Sequence, residues 1–472
     1  MTAAVPDAFK TIDPATGETL HEHAPHSREQ IERRLDRARR AFGPWRDLGF
    51  EGRAAVLHRI ADHLRKFKTS FATIATKEMG KPIAEAEAEI EKCAWNCDYY
   101  GEHAALYLAD EPRASNAAKS YVAFRPLGVV LAIMPWNFPY WQVFRFAAPA
   151  LMAGNVALLK HAANVTGCSL EIERIFEMCG APEGVFASLL VNSREMGPVV
   201  DDARIAAVTL TGSTDAGSSV AAAAGKALKK TVLELGGSDA FVVLADADLE
   251  AAAATAVKAR FQNTGQSCIA AKRFIIEDGV HDDFLARFVA KTKQLVIGDP
   301  LNPKTQVGPL AREDLREALE RQVGESVKEG AKVALGAKRV NRPGYYYEPT
   351  ILSDVTPSMP LFREETFGPA AAVVRARDPE HAIELANDSE FGLGGNLWTG
   401  DAARAEKIAA RLESGSVFIN GMTASDPRLP FGGLKRSGHG RELSDYGIKE
   451  FVNVQTIWIG PAQNEQPKLQ SE

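Results

Sequence analysis

Residues 207–217 read Ala-Val-Thr-Leu-Thr-Gly-Ser-Thr-Asp-Ala-Gly, and an alanine-rich stretch follows. The spacing predicts a strand running into a glycine turn and then a helix N-terminus. Free amides and the positive end of a helix dipole meet at such a junction, which suits a phosphate group. Strand–Gly–helix turns are common in structural roles too, and no GxGxxG fingerprint is present, so this segment alone names no ligand.

Around it lie short β-rich runs at Tyr121–Phe124, Val129–Met134, Val156–Leu159, Val185–Val191, Ala207–Leu210 and Thr231–Leu235. Helical segments separate most of the later ones, as in a parallel sheet wound with helices on both faces. A second alternating set runs from Phe241 to about Ile419, with Gly236-Gly237 as the boundary. Upstream, the first hundred residues read as helix. Ser27-Arg28-Glu29-Gln30 is a capping box, and Ile31, Leu35, Ala38 and Phe42 recur behind it at helical spacing. Two more helical stretches cover roughly 51–79 and 84–108. Ser120–Arg125 and Phe451–Ile459 look like strands with no home in either sheet. Orphan strands are edge liabilities unless something pairs with them, and another subunit is one solution. The polar residues 463–472 are expected to form a flexible tail.

The chain has 472 residues, 45% hydrophobic and 25% charged, the composition of a soluble multidomain protein. Its net charge of −6 argues against nucleic-acid or anionic-membrane partners, which favour a basic face. No apolar run approaches the roughly 20 residues of a membrane helix. The opening stretch lacks the apolar run of a secretory signal. Five cysteines, Cys93, Cys97, Cys168, Cys179 and Cys268, include no CxxC pair. Reduced thiols in a cytoplasmic protein are expected, with no metal site.

Three residues could carry chemistry. Cys268 follows Asn263-Thr264-Gly265-Gln266-Ser267, a glycine-containing loop that keeps bulk away from a thiol. A nucleophile needs that access, although a structural thiol is the commoner reading of one cysteine, and an unperturbed thiol is mostly protonated at neutral pH. Glu234, in Leu233-Glu234-Leu235-Gly236-Gly237, sits at a strand end between apolar neighbours. Partial burial there would raise its pKa toward that of a general base; a solvated strand-end carboxylate is the alternative. Asn137, between Pro135 and Pro139 in Pro-Trp-Asn-Phe-Pro, offers a rigid amide donor for an oxyanion, or a turn asparagine.

Together these segments resemble the aldehyde dehydrogenase superfamily over essentially the whole chain. PWNFP (135–139), TGS (211–213), ELGG (234–237), GQSC (265–268), EETFGP (364–369) and PFGG (430–433) occur in that family's order and spacing. MPWNFPYWQ, LLKHA, VLELGGSDAF, QNTGQSCIAAKRF and FGGLKRSGHGREL are most similar to its bacterial succinate-semialdehyde dehydrogenases. The resemblance implies an α/β fold with a Rossmann-type NAD(P)-binding domain from 1–108 and 127–236 and an α/β catalytic domain from 237–446. A small β oligomerisation element from 109–126 and 447–462 would join Ser120–Arg125 to the C-terminal strand of a partner and make a homodimer or homotetramer.

The same resemblance implies that Cys268 attacks the aldehyde carbon. Asn137 and the Cys268 backbone N–H would stabilise the thiohemiacetal oxyanion, hydride would pass to the nicotinamide, and Glu234 would activate water to hydrolyse the thioester. Glu365 would touch the nicotinamide ribose, Phe367 would pack beside the nicotinamide, and Lys160 would contact the adenosine ribose. Trp136 and Ser213, on the Gly212 turn, would hold the pyrophosphate. Many NAD-preferring members carry a glutamate where this chain has Ala163, in Lys160-His161-Ala162-Ala163. NADP is therefore the expected cofactor, with NAD also accepted. The implied substrate is succinate semialdehyde, a small aldehyde with a distal carboxylate. Arg145 matches one anchor position of such enzymes, while Gln262 replaces a second arginine. Ser425, Arg428 and Phe431 are further substrate-side candidates. Ala270 leaves no neighbouring thiol for a disulfide switch. Glutarate semialdehyde or a broad aldehyde range is the alternative substrate reading. A CoA-acylating enzyme is disfavoured by Glu234, and an idle scaffold by the presence of both Cys268 and Glu234.

Overall fold

The computed structural model describes residues 8–460; the expected tail lies outside them. A six-stranded sheet forms the first layer. Its order is Gly438–His439, Lys230–Glu234, Ile205–Thr211, Val129–Met134, Val156–His161 and Phe186–Ser188. All neighbours are parallel except the short first strand. Val129–Met134 and Val156–His161 are almost wholly buried, which explains why they read as continuous apolar runs rather than alternating ones. The earliest of the five parallel strands lies in the middle, and chain order runs outward from it in both directions. Such a reversal opens a crevice at the carboxyl ends of the strands, the customary ligand site of open α/β sheets.

The N-terminal helices pack on this sheet. Arg28–Asp47 begins with the expected capping box: Ser27 Oγ accepts from the Gln30 amide at 3.2 Å, and Gln30 Oε1 accepts from the Ser27 amide at 2.7 Å. The stretch expected over 51–79 is two helices, Gly49–Lys66 and Lys68–Met79, and the latter ends on Gly80 at φ 79°. Ile83–Tyr107 follows. One departure from the helical reading precedes them. Phe9–Ile12 and Thr19–His23 form an antiparallel hairpin. Thr19–His23 is mostly exposed and polar, so it lacks the alternating apolar face by which a strand is recognised.

A second, seven-stranded sheet has the order Lys332–Leu335, Thr350–Ser353, Ala370–Ala376, Ala271–Glu277, Asp239–Val243, Gly394–Trp398 and Ser416–Ile419. Only its Lys332–Leu335 edge is antiparallel. The chain passes from the first sheet to the second through Gly236-Gly237.

The orphan strands are resolved differently from the expectation. Lys119–Pro126 and Val452–Ile459 pair with each other, antiparallel and within one chain, from Val452 opposite Pro126 to Ile459 opposite Lys119. Glu111–Pro112 completes a three-stranded sheet. The partner strand thus comes from the same chain, because the segment after Phe451 folds back beside Pro126. Val452–Ile459 remains an edge strand, with Val454, Trp458 and Ile459 exposed.

Candidate active site

The strand Val129–Met134 delivers Asn137 to the carboxyl edge of the first sheet, where it is buried. Its Nδ2 donates to the Gln266 carbonyl at 3.0 Å, and its Oδ1 accepts from Gln142 Nε2 at 3.1 Å. Asn263 Nδ2 donates to the carbonyls of both Asn137 (2.8 Å) and Gln266 (3.0 Å), cross-bracing the two loops. An amide nitrogen carries two hydrogens, so one Asn137 N–H is left to point at a ligand. His161 steadies the same loop. Its Nδ1 accepts from the Ala162 amide at 2.9 Å while Nε2–H donates to the Pro139 carbonyl at 2.8 Å. Burial pulls this imidazole down to about 4, so it stays neutral.

The loop before Cys268 is strained. Asn263 and Thr264 take left-handed conformations at φ 54° and 55°, a cost that persists only where surrounding contacts over-determine it. Those contacts are visible: Glu85 Oε2 accepts from the Asn263 amide at 2.6 Å, and Gln266 Oε1 accepts from the Ala311 amide at 2.9 Å. At Gly265 (φ 74°) a Cβ would collide with the Gly368 carbonyl. Buried Arg260 donates to the carbonyls of Gly265 and Thr366, and buried Lys272 to those of Ser267 (3.0 Å) and Cys268 (2.9 Å). Two cations therefore pin the loop through its backbone.

Cys268 itself is partly buried in the wall of a cavity of about 680 Å³. Burial pushes its thiol up to about 12, partly offset by Arg145 and Lys272. Only the thiolate alkylates readily. In the ligand-free enzyme, Cys268 modification by iodoacetamide should still be accelerating at pH 9–10; a rate that levels off near pH 7 would contradict this burial.

Glu234 ends the strand Lys230–Glu234 and is buried, with neither carboxylate oxygen hydrogen-bonded. Burial, with repulsion from Glu442, raises its pKa well above the carboxylate range, and Arg145 and Arg441 act in the opposite sense. Gly432 of the PFGG segment packs close by, since a Cβ there would lie 2.8 Å from Glu234 Oε1. A Cβ at Gly237, three residues on, would lie 2.6 Å from the Cys268 carbonyl. Gly237 thus lets the segment after the Glu234 strand and the Cys268 loop approach closely.

On the other side, Gly212 forms the turn after Ile205–Thr211, and its amide donates to the Glu234 carbonyl at 3.0 Å. Ser213 caps the helix Thr214–Lys226 by accepting from the Ala216 amide at 3.3 Å. Trp136 meets Phe367 edge to face, with ring centroids 5.6 Å apart. Glu365 Oε1 accepts from the Gly237 amide at 3.0 Å and lies 3.8 Å from Lys272 Nζ. Lys160 is the penultimate residue of Val156–His161, and its ammonium donates to Ser193 Oγ at 3.3 Å. Ala163 is exposed and opens the turn Ala163–Val165. No carboxylate oxygen lies within 4.0 Å of Lys160 among the described residues. These residues line a phosphate-friendly sheet edge with one uncompensated cation, and they fit a dinucleotide.

The profile of the aldehyde dehydrogenase family matches residues 2–457. The chain belongs to the aldehyde dehydrogenase family. It is 50% identical over 452 residues to succinate-semialdehyde dehydrogenase (NADP(+)) 1 of Mycobacterium tuberculosis, covering 95% of this chain and 99% of that one. Identity is also 50%, over 448 residues, to the succinate semialdehyde dehydrogenase (NAD(P)+) Sad of Escherichia coli, covering 95% and 97% of the two chains. The crystal structure of succinic semialdehyde dehydrogenase from Streptococcus pyogenes in complex with NADP+ superposes with a TM-score of 0.94 at 38% identity, covering 96% of this chain and 100% of that one. Among the described residues, no helix is long and apolar enough to cross a membrane.

Of the substrate-side candidates in this aldehyde dehydrogenase, Arg145, Ser425 and Phe431 line the cavity beside Cys268, and Arg428 does not. Arg428 is largely exposed and paired with Asp426 at 2.6 Å. Arg145 is buried on the helix Trp141–Met152, paired with Glu442, donating to Thr211 Oγ1 at 3.1 Å and stacked 4.6 Å over Phe431. Three residues of this neighbourhood were not singled out from the sequence: Lys92, Glu442 and Ser193. Glu442 lies within the Gly-Arg-Glu-Leu segment that carried the resemblance, so its signal was present but unassigned. Lys92 gives none, because a lysine on an amphipathic helix ordinarily faces water.

Proposed function

We propose that this aldehyde dehydrogenase oxidises succinate semialdehyde to succinate, with NADP as the preferred cofactor and NAD also accepted. The observation that carries the reading is Glu234, a buried carboxylate with no hydrogen-bond partner, on a strand end that Gly237 continues against the Cys268 carbonyl. A structural carboxylate in that position would be paired. An unpaired one with a raised pKa is a strong base once its proton is gone, and suits water activation.

In this reading the Cys268 thiol releases its proton to solvent and Sγ bonds to the aldehyde carbon, the C=O pair moving onto oxygen to make a thiohemiacetal anion. The spare Asn137 N–H and the Cys268 amide hold its oxyanion. The chemistry supplied by a bound nicotinamide dinucleotide is acceptance of the hydride that leaves this carbon. The carbon is then a thioester of Cys268. Glu234 takes a proton from water, the hydroxyl adds to the thioester carbonyl, the C–S bond breaks to release the carboxylic acid, and the sulfur takes the proton back from Glu234 to regenerate the thiol. Trp136, Gly212 and Ser213 would hold the pyrophosphate, Glu365 and Phe367 the nicotinamide end, and Lys160 with Ser193 the adenosine ribose and its 2′-phosphate. Residues 1–108 with 127–236 would form the cofactor domain and 237–446 the catalytic domain, which lends the edge strand Gly438–His439 to the first sheet.

NADP preference is supported by the lone charge on Lys160 and by Ala163, which leaves room where an acidic side chain would repel a phosphate. Ala163→Glu should therefore shift the NAD/NADP ratio of kcat/KM toward NAD by about tenfold or more, the worth of one charge-assisted contact. An unchanged ratio refutes the electrostatic argument. A homodimer or homotetramer is supported by the open edge strand Val452–Ile459 with its exposed Val454, Trp458 and Ile459. A cytoplasmic location is supported by five free thiols. The deciding assay is NAD(P)H formation from saturating succinate semialdehyde with each cofactor, with uncharged aldehydes as controls. Equal efficiency with uncharged aldehydes would make the enzyme a general aldehyde oxidiser.

A further inference from the structure

The cavity beside Cys268 carries three cations, Lys92, Arg145 and Lys258. Lys258 is exposed. Arg145 is already spent: its guanidinium is paired with Glu442, bonded to Thr211 and packed over Phe431. An arginine whose charge is balanced by a buried carboxylate has little left for a substrate anion.

Lys92 is different. It projects from the helix Ile83–Tyr107, only partly exposed, with Nζ 2.7 Å from Ser425 Oγ and 4.3 Å from the Trp141 ring centre. No carboxylate oxygen lies within 4.0 Å of it among the described residues. The acids nearby are committed elsewhere. Glu89 pairs with Lys81 and accepts from the Tyr140 and Trp141 amides, and Asp426 pairs with Arg428. Burial, with repulsion from Arg145, pulls the Lys92 ammonium down to about 8, while Cys93, Asp426 and Glu89 oppose the shift. A half-buried ammonium with no counter-ion costs free energy unless an anion arrives to pair with it.

We propose that Lys92 Nζ, with Ser425 Oγ beside it, anchors the distal carboxylate of an ω-carboxylic aldehyde, leaving Arg145 to position Glu442 and Phe431. The inference rests on the dehydrogenase reading above and names the group that recognises the charged end of its substrate. An ammonium supplies three donors on a flexible stem, and one is spent on Ser425, so two remain for a carboxylate. The serine hydroxyl can rotate to donate to the same carboxylate.

The test compares the NADP-saturated enzyme on succinate semialdehyde and on butanal, its uncharged four-carbon counterpart, with succinate as an inhibitor of butanal oxidation. The wild type should favour succinate semialdehyde and be inhibited by succinate. In Lys92→Met, kcat/KM for succinate semialdehyde should fall about 10- to 100-fold more than that for butanal, mainly through KM. The succinate inhibition constant should rise in parallel. Residual butanal turnover reports that the variant has folded. Ser425→Ala leaves the lysine and its packing in place, and should show the same selective loss at about 2- to 10-fold. Equal losses for both aldehydes, or an unchanged selectivity with unchanged succinate inhibition, would overturn the anchor while leaving the dehydrogenase reading intact. A wild type with no preference and no succinate inhibition would sink the substrate reading itself.

Discussion

Cys268→Ala is expected to reduce steady-state aldehyde oxidation by about 10,000-fold or more, the scale on which removing a covalent nucleophile ordinarily acts. The change takes away the only atom at this position that can bond to the aldehyde carbon, and it replaces a partly buried side chain with a smaller apolar one. The loop should survive it. Its conformation is set by Glu85 on the Asn263 amide, Gln266 on Ala311, and Arg260 and Lys272 on its carbonyls, none of which touches the sulfur. NADP binding, read by tryptophan fluorescence or calorimetry, should therefore be retained while turnover is lost. Sustained turnover would remove Cys268 from the mechanism.

Glu234→Gln should separate the two halves of the reaction. Gln is nearly isosteric and cannot take a proton, so the acylation half should proceed and thioester hydrolysis should slow by about 100- to 10,000-fold, the usual worth of a general base. The signature is a rapid burst approaching one NADPH per active site, followed by a slow steady rate. A mass increase on Cys268 should accompany it. The wild type adds a pH dependence with a definite sign. Burial and Glu442 raise the Glu234 pKa, so below that value the carboxyl is neutral and cannot act as base. Steady-state rate should fall as pH is lowered, and in the variant this dependence should vanish from the slow phase. A variant with no burst and an unaltered pH profile would assign the proton to another group.

Much of this arrangement was legible in the chain, and the physical reason differs from element to element. Buried parallel strands such as Val129–Met134 announce themselves because both faces are covered and every residue is apolar. The capping box at Ser27 is a local hydrogen-bonding device and needs no tertiary partner. The hairpin Phe9–His23 was missed because its outer strand has no apolar face. Pairing of Lys119–Pro126 with Val452–Ile459 depends on where the chain returns in space, which local pattern does not encode. Cys268, Asn137 and Glu234 stand in segments punctuated by glycine or proline, while Ser425 was legible only through the family resemblance. Arg145 was legible as a position but not as a charge, because its neutralising partner Glu442 lies far along the chain. Lys92 acquires its environment only when Ser425 and Trp141 close over its helix.

The outermost strand of the first sheet, Gly438–His439, sets the order in which the protein can be made. Ser437 Oγ donates to the Gly236 carbonyl, a partner 201 residues earlier, and Asn155 Nδ2 reaches the Phe451 carbonyl at 2.9 Å. On the ribosome, the strand bearing Glu234 must therefore wait with one edge bare while the whole second sheet is synthesised. Glu442, Phe431 and the backbone that walls in the carboxylate arrive together, after that sheet. A nascent or truncated chain can hold a nearly complete dinucleotide crevice and yet lack the surroundings that raise the pKa of Glu234. Competence is thus conferred late, when the segment 431–451 leaves the exit tunnel.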